Sequence, residues 1–232
     1  MSVLVRFHEA MAPFLRGDIS AAELEQRLGP SPSGTSRLAL YPRLVRRQST
    51  GLVDHFFRAL AAALERYEPG SFSPLRDAFL AAYPLSSWEP NENLRPFAPF
   101  VKTYPNLPEW AFELADFTWS RFLAAHADRT TGEVGLDRAV FVRHYRYDVA
   151  SAFDEATPST RALVLAPRTM VFARHRRTGR LVFVTPSVAA LYALLGASGE
   201  ELPPLPTGIG PRDVDRELLA LREAGILVQR EG

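Results

Sequence analysis

The chain has 232 residues, 27 Lys+Arg against 26 Asp+Glu, no cysteine, and 47% apolar residues. That size and composition fit a soluble globular protein with a substantial core, in one large domain or two small ones. Without cysteine there is no disulfide framework, thiol nucleophile or iron–sulfur cluster, and a net charge of +1 argues against a bulk polyanion binder. No apolar run reaches the ~20 residues of a membrane helix. Arg6, His8 and Glu9 interrupt the first apolar stretch, which gives no clean signal-peptide core, so a cytoplasmic location is expected.

The first half reads as helices. Ser20-Ala-Ala-Glu23 fits a capping box opening a helix over 21–28 that Gly29-Pro30 ends. A long helical segment follows at 37–67, with a break expected near Ser49-Thr50-Gly51; Leu52, Val53, Phe56, Phe57, Leu60 and Leu64 form its apolar face. Ser73-Pro74 reads as a cap with Pro at the first helical position, starting a helix through Leu75, Phe79 and Leu80. The stretch 84–109 is rich in Pro and aromatics and predicts one short helix between loops. A helix over 109–126 carries Glu109, Glu113, Asp116 and Ser120 on one narrow stripe. It is apolar or aromatic elsewhere, which predicts a central position in a bundle rather than a cofactor box.

After Asp128–Glu133 the pattern changes to strands. Residues 139–149 alternate, 161–166 suggest a second strand, and Thr169–His175 with Leu181–Thr185 read as a hairpin turning around Arg177-Thr178-Gly179. Thr185-Pro186 opens a short helix that Gly196 closes; Pro211 starts a last helix with Val214, Leu218 and Leu221 at i, i+4 and i+7, which Gly225 ends before a short strand at Ile226–Val228. Hairpin, helix, helix and short strand give a winged-helix outline. The expected fold class is α+β: a helical bundle over residues 1–135, then a small winged-helix-like domain over 136–232.

Charge is segregated along the chain. Residues 37–66 hold six Arg and two acids, and residues 127–180 hold ten Arg and six acids, while the intervening and terminal blocks are acidic. Lys102 is the one lysine, an excess of arginine read first as coding bias, with selection for guanidinium contacts as the lesser alternative. The tip of the hairpin crowds Arg174, Arg176, Arg177 and Arg180 without an acid between them. These could grip phosphate, an acidic peptide or a partner surface, or simply form a solvated tip.

No catalytic motif is visible. His8, His55, His126, His144 and His175 form no compact metal motif, and Asp54-His55 are helix neighbours that point about 100° apart. There is no nucleophile elbow or phosphate loop, and Gly208-Ile-Gly210 is too short for a dinucleotide loop.

Several stretches carry a family likeness: Leu40-Tyr-Pro-Arg-Leu-Val45, Phe79-Leu-Ala-Ala-Tyr-Pro84, Phe97-Ala-Pro-Phe100, Leu114-Ala-Asp-Phe-Thr-Trp119, Arg143-His-Tyr-Arg-Tyr-Asp-Val149 and Leu218–Leu227. In this order, over about residues 5–230, the chain resembles the HvfC/BufC-type proteins. These are partner proteins of multinuclear non-haem iron-dependent oxidases in modified-peptide biosynthesis, and their N-terminal part carries a DNA-binding label. Thr118 stands where the family commonly has an acid before the Trp.

The resemblance implies a non-catalytic subunit that binds an iron-dependent oxidase subunit and presents a ribosomally made precursor peptide to it. Iron would sit in the partner, with no cofactor in this chain. It also implies that the leader segment adds as a strand beside Leu181–Thr185, with Leu181, Val182, Phe183 and Val184 as the edge and Val214, Leu218 and Leu221 as the groove wall. Those same apolar residues have an ordinary reading as domain core.

The alternative is a transcription regulator using a winged helix on DNA. Its recognition helix would be 212–223, where Arg212, Arg216 and Arg222 face Asp213, Asp215, Glu217 and Glu223. A net acidic helix is a poor match to phosphates, so nucleic acid is an unfavoured partner.

Overall fold

A computed structural model of the chain describes residues 3–30, 34–83, 90–126, 135–136, 140–153, 163–174, 178–197, 202–224 and 226–228. It is a mixed helix and sheet structure of two compact units, Met1–Leu107 and Pro108–Gly232. The α+β class holds in that form.

The first unit is helical: α1 Val3–Arg16, α2 Ala21–Leu28, α3 Thr35–Leu38, α4 Leu40–Phe56, α5 Arg58–Tyr67, α6 Phe72–Ala82, α7 Pro90–Leu94 and α8 Phe97–Thr103. The expected capping box opens α2: the Ser20 amide donates to Glu23 Oε2 at 2.7 Å and the Glu23 amide to Ser20 Oγ at 3.2 Å. The Ser20 amide, with its hydroxyl behind it, lowers the Glu23 carboxyl's affinity for a proton. The long helix does not break at Ser49-Thr50-Gly51. The Ser49 and Thr50 hydroxyls donate to the Val45 and Arg46 carbonyls inside the helix, both at 2.8 Å, and the helix ends nearly two turns later, at Phe57. Phe57 is fully buried there and its ring stacks on Phe97 at 4.1 Å. Phe79 meets Phe97 edge-on at 4.9 Å, and Leu60, Leu64 and Leu75 complete this core. Among its described residues the Pro-rich stretch holds two short helices rather than one, and α6 begins just before the expected cap.

The second unit begins with α9 Glu109–His126, followed by β1 Gly135–Leu136, β2 Phe141–Tyr147, α10 Val149–Ala152, β3 Leu165–Arg174, β4 Leu181–Val184, α11 Val188–Ala197, α12 Pro211–Glu223 and β5 Leu227–Val228. An antiparallel sheet runs in the order β2-β3-β4, and β1 pairs with β5. Of the expected strand at 161–166 only Leu165-Ala166 is strand, continuous with the first hairpin arm in β3; Leu163-Val164 precede it, and residues 161–162 and His175 lie outside the described residues. The pairing with β2 shifts opposite Arg146, between the Tyr147–Leu165 and Tyr145–Arg168 pairs. Pro167 lies in this slip and has no N–H to give to a ladder. Ser187 caps α11 by accepting the Ala190 amide, so that helix starts after Pro186; Gly196 lies in its last turn, and Gly225 falls outside the described residues.

The boundary between units lies near residue 107, not at 135, because α9 belongs with the sheet. Phe117 is fully buried, with ring centroids 5.2 Å from Phe172, 5.6 Å from Phe183 and 5.9 Å from Tyr145. A helix apolar on most sides needs apolar neighbours, and here a sheet face supplies them instead of a bundle. The opposite sheet face, with Val142, Val171 and Ala173, packs on Leu194, Ile226 and Leu227, and on Leu218 and Leu221 of α12.

Candidate functional site

β4 is an edge strand. Among the described residues it pairs with β3 alone, through Val171–Val184, Phe172–Phe183, Ala173–Val182 and Arg174–Leu181. Alternate residues of such a strand direct N–H and C=O groups away from the ladder, which leaves an edge that can accept another strand.

The register divides the candidate residues between two faces. Val182 and Val184 lie on the face shared with Ala173 and Val171, the side of α12. Leu181 and Phe183 lie on the α9 face. There Phe183 packs edge-on to Phe117, and the Arg121 guanidinium lies 5.1 Å from its ring centre and 3.8 Å from that of Phe153. Val184 is 43% exposed and Phe183 37% exposed. The strand therefore cannot present all four side chains to one groove, since the period of two sends neighbours to opposite sides.

On α12, Leu218 and Leu221 are half-buried against the core, and Val214 is half-buried in the first turn. The helix opens at Gly210, whose amide donates to Asp213 Oδ2 at 3.0 Å. The Ser187 hydroxyl donates to Glu217 Oε1 at 3.2 Å, which ties the segment after β4 to α12. Val182, Val184, Leu218 and Leu221 thus belong to one side of the sheet, with an open strand edge beside them.

The hairpin arginines fare differently. Arg174 folds back: its Nε donates to the Gly179 carbonyl at 3.1 Å and its Nη1 to the Ala125 carbonyl, near the end of α9, at 3.4 Å. A cation at that helix terminus meets the negative end of the dipole, a structural use rather than a free phosphate contact. Arg180 is exposed, while Arg176 and Arg177 lie outside the described residues. On α12, the helix that would read DNA in a winged helix, Arg216 pairs with Asp213 at 3.2 Å.

The acidic stripe of α9 meets β2, a partnership the sequence reading missed. The Glu113 carboxylate, 9% exposed, accepts the Arg146 amide at 2.9 Å and the Tyr147 amide at 3.0 Å, where the β2–β3 pairing slips. Asp116 accepts the Tyr145 hydroxyl at 2.9 Å and stands 3.4 Å from Arg143. Glu109 pairs with Arg146 at 2.7 Å. Burial, reinforced by the Asp116 charge, pushes the Tyr145 phenol well above its ordinary range. Asp148 caps α10 through Ser151 and pairs with Arg168 at 3.0 Å. One signal was available: the acids recur at helical spacing, and the basic and phenolic side chains crowd into a single strand.

Among the described residues no group of three or more His, Asp or Glu is placed to hold a metal ion. No described helix is long and apolar enough to cross a membrane. No family model matches the chain, and no curated protein matches it.

Proposed function

We propose that this chain is a non-catalytic partner subunit that holds a precursor peptide for an iron-dependent oxidase. The second unit, read as a winged-helix-like peptide-recognition domain, takes the leader segment as a strand beside β4. The helical unit contacts the oxidase, and iron belongs to that enzyme. The observation that carries this reading is the open β4 edge, with Val182 and Val184 on the side of α12. Main-chain pairing supplies affinity, and alternate side chains supply choice of sequence. The family resemblance supplies the identity of the partners, and the net acidic α12 and folded-back Arg174 favour a peptide over DNA.

The test is titration of the full chain into a fluorescent leader peptide and into labelled duplex DNA, at low and high salt. Saturable peptide binding, weakened about tenfold when β4 carries a charge, supports the reading. Tight, sequence-selective and salt-steep DNA binding overturns it. Co-purification with the oxidase, with iron following the oxidase and not the isolated chain, tests the second half of the proposal.

A further inference from the structure

The helix α4 has two apolar sides. Val53 and Ser49 are buried in the helical unit, with Val45 and Leu52 half-buried beside them. Leu40, Tyr41 and Leu44 point elsewhere and are 52%, 52% and 58% exposed. On a wheel of about 100° per residue, Leu40 and Leu44 lie within about 40° of each other and nearly opposite Ser49. Arg43 and Arg47, one turn apart, border this stripe, and Arg37 and Arg46 are exposed close by. From residue 37 to residue 53 there is no acid, and none of these four arginines pairs with a described residue.

A groove lies close to the start of α4. Helices α1 and α2 and Leu38 of α3 line a cavity of about 400 Å³. Phe7, Met11 and Leu28 supply its apolar wall, and Arg6 and Arg27 also line it. Its one acid, Glu25, already accepts the Thr35 hydroxyl at 2.8 Å. Leu38 packs against the cluster of Phe14 and Leu24 and leads within two residues to Leu40.

We infer that this surface docks an acidic amphipathic helix of a protein partner. Apolar anchors at i, i+3 and i+4 of that helix would meet Leu40, Tyr41, Leu44 and the groove. Its carboxylates would meet Arg6, Arg27, Arg43 and Arg47, whose planar forks bind carboxylates bidentately. The concavity fits an inserted side chain better than a bilayer, and the apolar stripe would be wasted on a phosphate backbone. The inference rests on the proposed reading only for the owner of the helix, an oxidase subunit.

The probe is a labelled synthetic helix with Leu anchors at this spacing and Glu at its other positions, together with a twin carrying Lys for Glu. Both are titrated with the full chain, alongside phosphatidylglycerol vesicles and duplex DNA. The Glu helix should bind at least about tenfold tighter than its Lys twin, as complementary charge requires. Leu44→Glu, and separately Arg43→Glu with Arg47→Glu, should each weaken it about tenfold, with helix content and unfolding midpoint unchanged. Both variants should still bind the leader peptide at β4. Equal binding of the two helices, indifference to the substitutions, or stronger binding to vesicles or DNA overturns the inference. Glu-helix binding without any leader binding sustains this surface and overturns the β4 reading instead.

Discussion

The two edge strands of the three-stranded sheet end differently. At the C-terminal end of β2, two successive amides turn to the buried carboxylate of Glu113. At β4, no described residue takes the outer edge. The first case shows how a broken ladder is made tolerable: a charged acceptor from α9 takes two amides where the register slips. The second leaves main-chain groups to solvent, a feature that folded sheets usually blunt with charge or cover. An edge that is short, apolar and open, in a sheet whose other edge strand receives a carboxylate, fits a surface kept for a ligand.

Four substitutions break or sharpen this contrast. Glu113→Ala strands two β2 amides and should cost about 3 kcal/mol, read as a lower urea midpoint, because buried donors lose a charged acceptor. Glu113→Gln keeps an acceptor and should lose clearly less. If Ala and Gln behave alike, the carboxylate is not what closes that end. Val184→Lys puts a charge on the open edge. It should weaken leader binding about tenfold while moving stability by no more than about 0.5 kcal/mol, since the position is already partly exposed. Tyr145→Phe removes the bond to Asp116 and should cost about 1 kcal/mol.

That same tyrosine gives a pH test. Its folded pKa lies above the ordinary phenol value, so its contribution is complete below about pH 10 and is lost as pH rises through the folded value. Unfolding free energy should therefore fall on the alkaline side, and less steeply in Tyr145→Phe. Ultraviolet titration should show one of the seven tyrosines ionising late. The smallest effect is expected from Arg216→Ala, whose pair with Asp213 joins a side chain 72% exposed to one 39% exposed: a stability change within about 0.5 kcal/mol.

Local signals in the sequence carried well where the chemistry is local. The Ser20–Glu23 box, Pro211 at the start of α12, and the start of α9 at Glu109 stand as read. What failed was non-local. A helix apolar on most sides announces burial but not the neighbour, so α9 was assigned to the wrong unit. Gly51 looked like a break, yet the helix runs through it, and Ser49 and Thr50 satisfy their hydroxyls on carbonyls inside it instead of on a turn. The site shows the same division. That Leu181–Val184 forms a strand was legible from its residues, but the facing of Phe183 toward Phe117 depends on register with β3, which no run of apolar residues reports. Glu113 was seen on a stripe, while its role follows from a register slip some thirty residues further along the chain.

The length of β4 sets a timescale for whatever it holds. Four residues, Leu181–Val184, give about two whose main-chain groups point outward. At about 1 kcal/mol net per bond, a guest strand gains roughly 4 kcal/mol from the backbone, near millimolar on its own. Tight retention would then need several side-chain anchors, and a guest with few of them leaves quickly. Such brevity suits a carrier that must let go of each modified chain before taking the next.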